Sequence, residues 1–472
     1  MKKIAIILVI TLCFGLMAPL ASATGAESRY YSDVYLTDSY HDAVIYLYEH
    51  ELMTGTTGAT DTAKALFSPN NALLRGQIVA ILWRMLNRAN PNGTVTYYDD
   101  CDPDHFFYDA VLWASSSNVG VINGHSDGTF RPFDVVVQEQ LLAMLYRFAC
   151  HCGYASNTST VQNYYIRIFN NSSLRNKTSF SDYAKAAVGW ACDTGVLTNN
   201  DVNGLDPCSR ADIAEYIYTF YQLFQKKYGL SVINTDGMAW VIPCGPAMQT
   251  LFTHYGASPA IDMKDITSAE FEAAMQSAFG NAKGLDICYL YCASHGSTSG
   301  LGLFTGSPHT LTPTRLRELI DQYNGTFVVF VSGCYSGTYI STGTESNEAD
   351  SDDVFDADSF VAALLTNTDD YEVESDLRNG ERIKVLCSSM KNEKSYATNR
   401  FATNYWCLGS GYNKATNTFG SLYADENNDF RVSLYELYSY SHDEIKDNLI
   451  DHTQTVVVYP ENDNYIIFES DY

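Results

Sequence analysis

Two apolar runs, each stopping at one reactive side chain, constrain this 472-residue chain more than any other feature. Residues 286–296 read DICYLYCASHG, and residues 327–337 read FVVFVSGCYSG. Runs that are apolar at both alternating positions mark strands buried on both faces, as in a parallel sheet covered by helices. Open α/β sheets gather ligands beyond the carboxyl ends of their strands. His295, followed by Gly296, and Cys334, preceded by Gly333, stand at those ends. They stand 39 positions apart, which leaves room for one helical crossover between adjacent parallel strands. An imidazole that takes the thiol proton leaves a nucleophile, and the small residues beside both groups leave backbone N–H donors for an oxyanion.

The surrounding residues repeat this alternation of strand and helix from about residue 230 onward. Met238–Val241 reads as a first strand, and PAMQTLFTHYG as the helix after it. SAEFEAAMQSAFGNA is helical, and TPTRLRELIDQYNG is a second helix with Pro313 near its start. RIKVLCSS is another strand, and QTVVVYPENDNYIIF closes the chain in strand-rich form. The acidic tract from Glu345 to Asp358 holds no Lys or Arg and reads as a solvated loop.

The halves YLYCASHG and VVFVSGCYSG resemble the signature of the caspase-like, clan CD cysteine peptidases, a group that includes caspases, metacaspases, legumains and clostripain. The resemblance spans residues 236–472. It implies that Cys334 is the nucleophile, His295 the general base and Gly296 an oxyanion donor. It also implies peptide-bond hydrolysis through an acyl-enzyme. Relatives that cut after basic residues carry an acid two places before the nucleophile, where this chain has Ser332. The loop of Ser388, Ser389 and Glu393 would line the pocket for the residue before the cut, and no specificity follows from it. Two other readings stay open on these residues: a catalytically silent surface protein of the same fold, and a transpeptidase using the same dyad.

The first 230 residues repeat a helix, a loop rich in Gly, Asn and Asp, a Pro and a second helix, three times over. The second helix of the first copy keeps Ile78, Ile81, Leu82 and Met85 at helical spacing. Trp113-Ala114, the loop Gly128-Thr129-Phe130-Arg131-Pro132 and the helix start Ser209-Arg210-Ala211-Asp212 resemble the S-layer homology module. The copies span residues 29–88, 97–153 and 178–226. The resemblance implies an all-α anchor that binds anionic polysaccharide of a bacterial cell wall. Arg75 and Arg210 would meet the anion together with the N–H groups of a helix N-terminus. The second copy has Gln138 at that position.

Residues 1–23 read as a secretory signal, with Lys2 and Lys3 before an apolar core and Ala21-Ser22-Ala23 at the cleavage site. No later stretch approaches the roughly 20 apolar residues that cross a bilayer. The formal net charge of -26 argues against nucleic acid and suits a secreted protein at the cell surface. Cys13 leaves with the signal, so the remaining cysteines are odd in number, and no pairing follows from their spacing. Cys150-His151-Cys152 lacks a second pair at a zinc-like distance and reads as structural. One more motif places oxygen ligands at alternate positions. Asp425, Asn427, Asp429, the Arg431 carbonyl, Ser433 and Glu436 fall at positions 1, 3, 5, 7, 9 and 12 of a Ca²⁺ loop. Phe430 occupies the position that such loops give to Gly. The expectation is a multidomain chain: helical S-layer homology repeats, then an α/β caspase-like domain with a mostly parallel sheet flanked by helices.

Overall fold

The computed structural model describes residues 26–60, 63–297, 300–334, 382–389, 395, 401–447, 454–460 and 462–469. The expected signal segment, the acidic tract and Glu393 lie outside the described residues. The N-terminal part is helical: α1 (His41–Glu49), α2 (Arg75–Met85), α3 (Tyr108–Ser115), α4 (Gln138–His151), α5 (Ser159–Asn171), α6 (Lys185–Thr194) and α7 (Arg210–Phe224). Helices α1 and α2, α3 and α4, and α6 and α7 form three like units, with α5 added before the third. The expected stripe Ile78, Ile81, Leu82 and Met85 is buried.

The units close on one another in a ring. The first N–H groups of α2, from Arg75 and Gly76, donate to Asp134 O and Pro132 O in the second unit's loop. Those of α4, from Gln138 and Glu139, donate to Asp206 O and Gly204 O in the third. Those of α7, from Arg210 and Ala211, donate to Asn71 O and Pro69 O in the first. Each helix start is therefore satisfied by a neighbouring unit's loop. Two loops are held the same way: Asp33 accepts from Phe67 N and Ser68 N, and Asp100 from Phe130 N and Arg131 N. In α7 the Ser209 hydroxyl also accepts from Asp212 N, while the Asp212 carboxylate accepts from Ser209 N at 2.8 Å.

The C-terminal part opens with β1 (Lys227–Ile233), only two residues after α7. It continues through α8 (Cys244–His254), β2 (Ala257–Lys264), α9 (Ser268–Phe279), β3 (Ile287–Ser297), β4 (Gly300–Leu301), α10 (Pro313–Ile320), β5 (Thr326–Cys334) and β6 (Ile383–Cys387). Then come α11 (Ala402–Gly409), β7 (Tyr412–Asn413), β8 (Thr418–Phe419), β9 (Arg431–Ser433), α12 (Leu434–Asp447), β10 (Val457–Tyr459) and β11 (Ile466–Glu469). The main sheet runs β10-β6-β5-β3-β1-β2, parallel except at β10, with β4 turned back on β3. Cys288, Leu290, Cys292, Phe327, Val329 and Val331 pack with α9 and α10. Tyr289, Tyr291, Val328 and Phe330 pack with α8 and α11. Both faces are thus covered, as the unbroken apolar runs required.

Two boundaries differ from expectation. Residues 239–241 form a 3₁₀ turn, and the first strand precedes them at Lys227–Ile233. That strand carries Gly229, where an added Cβ would lie 3.1 Å from Phe252, so close helix packing replaces the usual strand composition. Edge strand β2 was not anticipated, because ASPAIDMK is half-exposed and its pattern is weak. Ten cysteines, Cys101, Cys150, Cys152, Cys192, Cys208, Cys244, Cys288, Cys292, Cys387 and Cys407, form no disulfide among the described residues. Among the described residues no helix is long and apolar enough to cross a membrane.

The two parts meet along a polar seam at the amino ends of the strands. Asn87 donates to Thr326 Oγ1 at 2.9 Å, Tyr154 to Asp286 Oδ1 at 2.8 Å and Gln225 to Leu285 O at 3.0 Å. Buried Asp286 also accepts from Lys226 N and Lys283 N. Leu285 packs into the core of the helical part. Beside this, buried Arg431 reaches Glu49 of α1 and donates to Glu469 Oε1 at 2.8 Å. His50, stacked on Tyr46, lines a cavity of about 250 Å³ in the seam.

Replacing Arg431 by Met leaves two carboxylates in the seam without their partner, which typically costs about 3–5 kcal/mol. Urea denaturation of R431M is expected to show a loss of that order, and a loss below about 1 kcal/mol contradicts the role. Burial pushes the His50 imidazole down to about 4, against the pull of Glu469. The unfolded chain, titrating near 6.5, then binds the proton first. Stability should fall as pH drops from about 6.5 towards 4. Melting curves of H50Q should be flatter over that window than those of wild type, and equal slopes refute the assignment.

Candidate active site

Strands β3 and β5 are parallel neighbours, and their register pairs Ser294 with Gly333 and His295 with Cys334. Adjacent strands lie about 4.8 Å apart, so the backbone brings the two predicted residues side by side at one sheet edge. His295 is exposed there, at the carboxyl end of a strand whose preceding residues are buried. Gly333 is required by close packing. An added Cβ would lie 2.9 Å from Ser294 O and 2.9 Å from Leu301. The His295 carbonyl accepts from Gly302 N at 2.7 Å and from the Ser294 hydroxyl at 2.9 Å. Gly296 is half-exposed and pairs with Leu301 of β4.

Several supports were not legible in the sequence. Asn234, buried at the end of β1, donates to Gly302 O at 2.7 Å and through its backbone to Ala293 O at 3.0 Å. It ties the β4 turn behind His295 to the sheet. Buried Gln454 donates to Ser388 O at 2.7 Å. An Asn after a strand and a Gln in a loop carry no sequence signal of such a role.

Of the residues expected around a substrate pocket, the three described serines are buried. Ser332 is fully buried, and its hydroxyl accepts from Thr403, which in turn bonds the Tyr291 hydroxyl at 2.8 Å. It belongs to the packing beneath the sheet, because in a strand buried on both faces the residue two before the end is still inside. Ser388 is also buried, and its hydroxyl accepts from Gly333 N and donates to Gly333 O, both at 3.2 Å. It braces the residue before Cys334. Ser389 is fully buried, with no hydrogen-bond partner for its hydroxyl among the described residues.

Arg75 and Arg210 are buried and occupy equivalent places in the ring. Arg75 Nε donates to Phe130 O at 3.1 Å with its guanidinium 4.7 Å from the Phe130 ring centre. Arg210 Nε donates to Phe67 O at 2.7 Å with its guanidinium 4.6 Å from the Phe67 ring centre. The expectation that open helix N–H groups accompany these arginines is corrected, because the neighbouring loops accept them. Gln138 is buried and accepts from the Tyr216 hydroxyl.

The Asp425–Glu436 segment is a turn held together by its own acidic side chains. Phe430 holds φ +66° at the position usually given to Gly. Asp425 accepts from Asp429 N at 3.0 Å and Phe430 N at 2.9 Å, and Asp429 accepts from Arg431 N. Glu436 accepts from Ser433 N at 2.9 Å, while the Ser433 hydroxyl accepts from Glu436 N. Burial raises the Glu436 pKa, and Asp429 and Asp425 add to it by repulsion. Asn427 O and Asn428 O accept from the Arg29 guanidinium. Among the described residues no three His, Cys, Asp or Glu side chains gather closely enough to hold a metal ion.

Residues 30–79 match the S-layer homology domain. The chain is also 30% identical over 155 residues to an endoglucanase of Bacillus sp. (strain KSM-635), covering 31% of this chain and 15% of that enzyme. The chain thus spans less than a sixth of the length of that relative. Among solved structures it is similar to protein GSU0716 from Geobacter sulfurreducens, at 16% identity and a TM-score of 0.31, covering 50% of this chain and 92% of that one. It is also similar to caspase-1 from Spodoptera frugiperda, at 9% identity and a TM-score of 0.30, covering 50% and 84%. Such scores are too low to decide a fold, which rests on the strand order and register above.

Proposed function

We propose that this chain is a secreted, wall-anchored cysteine endopeptidase, in which Cys334 attacks a peptide carbonyl and His295 moves the proton. The in-register pairing of these residues at the carboxyl ends of β3 and β5 carries the reading. The thiol gives its proton to His295 and its sulfur bonds the carbonyl carbon. His295 then protonates the departing amine, and water hydrolyses the thioester. The Gly296 N–H is the proposed oxyanion donor. Ser388 acts as a positioning residue through Gly333. The S-layer homology match at residues 30–79 supports attachment to an anionic wall polysaccharide, with Arg75 and Arg210 as the proposed contacts.

The loop of Asp425, Asn427, Asp429, the Arg431 carbonyl, Ser433 and Glu436 is proposed to hold Ca²⁺. The positive φ of Phe430 and the raised Glu436 pKa support this reading, and binding would require the carboxylates to draw closer together than they stand. The ion would supply charge neutralisation and order to this loop, and takes no part in the chemistry at Cys334.

In a peptide-library assay, Cys334→Ala is expected to abolish cleavage, and His295→Ala to reduce kcat/KM by about 10²–10⁴-fold. A thiol-directed peptide electrophile should label wild type at Cys334. No labelling and no cleavage would leave a silent surface protein, and coupling to an added amine would show a transpeptidase. For the ion, calorimetry should detect Ca²⁺ binding that Glu436→Gln removes. Wild type without binding heat, and with unchanged melting in chelator, excludes the loop as a Ca²⁺ site.

A further inference from the structure

The two parts of the chain are joined without a tether. Only Gln225 and Lys226 separate α7 from β1, and Lys226 is itself pinned through its N–H to Asp286. The seam adds Asn87–Thr326, Tyr154–Asp286, Gln225–Leu285 and the Glu49–Arg431–Glu469 bridge. Contacts this numerous, several of them buried, hold the sheet in one orientation relative to the helical ring.

Polarity then sets the direction. Asn87 and Gln225 stand just past the carboxyl ends of α2 and α7, and they bond the residues that open β5 and precede β3. Arg75 and Arg210 stand at the opposite ends of the same helices. His295 and Cys334 stand at the opposite ends of the same strands. Helix α7 spans 15 residues, about 22 Å at 1.5 Å each. From Ile287 to His295, β3 advances about 26 Å. The proposed wall contacts and the proposed catalytic edge therefore stand at the far ends of separate elements that meet at the seam, a helix length and a strand length from it.

We infer that the substrate is a polypeptide met on the side of the molecule away from the wall, and not the peptide of the wall to which it is anchored. This rests on the peptidase and wall-binding readings above. A chain held by its arginine end cannot swing its strand ends back onto the anchoring surface, because no linker is free to turn. Proteins passing outside the wall, or displayed beside the enzyme, are within reach of the catalytic edge.

The test compares full-length protein free in solution with the same protein bound to isolated bacterial walls, using fluorescein-labelled casein as the soluble substrate. The initial rate on casein should stay within about twofold on wall binding, and no Cys334-dependent peptide should be released from the walls. A loss of more than about tenfold, or wall peptides released by wild type and not by Cys334→Ala, overturns the inference. A second readout is independent of turnover. In wall-bound Cys334→Ala, amide hydrogen exchange over 294–303 and 327–334 should match that of the free protein, and slowing by more than about tenfold also overturns it. Failures of the underlying readings look different. A free enzyme that cleaves neither casein nor any library peptide removes the peptidase, and a protein that does not sediment with walls removes the anchor; either takes this inference with it.

Discussion

The ladder between β3 and β5 is the constraint on which the rest of this protein depends. Nine consecutive register pairs run from Ile287 opposite Thr326 to His295 opposite Cys334. Side chains on both faces of both strands are buried, so a slip of one residue would exchange the two packed layers. That cost locks the register. The locked register, more than any local preference of His or Cys, brings an imidazole-bearing residue and a thiol-bearing residue to adjacent positions at one edge.

Small details near that edge follow from the same packing. Gly333 leaves no Cβ to strike Ser294 O and Leu301, and the Ser388 hydroxyl fits against its backbone from the next strand. Asn234 holds the turn behind His295 from the strand on the other side. The reactive positions are thus braced by three neighbouring elements, which is what a preorganised site needs. At the other end of the strands, polar groups of the helical ring take the place that solvent would fill.

Much of this was legible. The runs 286–296 and 327–337 announced buried parallel strands because their apolar residues do not alternate with polar ones. Helices α9 and α10 were legible from their pattern and from Pro313 near the start of the second, and the structure adds side-chain caps from Thr267 and Thr312. Strand β1 was not, because Gly229 makes room for Phe252 at a position where a branched residue would have signalled a strand. The surroundings of Ser332 were not legible for a related reason: position relative to Cys334 is visible in sequence, but the burial of its hydroxyl depends on the covering helix with Thr403. The helix starts at Arg75 and Arg210 looked open in one dimension and are closed in three by loops about sixty or more residues away.

The sequence by itself determined which residues end the buried strands and that three like helical units precede them. These are properties of local periodicity, and hydrophobic burial enforces them wherever the chain folds. Only the tertiary structure decided that the three units close into a ring, that Arg431 bridges Glu49 and Glu469, and that α7 runs into β1 without a hinge. Those outcomes rest on hydrogen bonds and ion pairs between residues far apart in the chain. Such partners are selected by geometry after the layers have packed, and no local pattern records them.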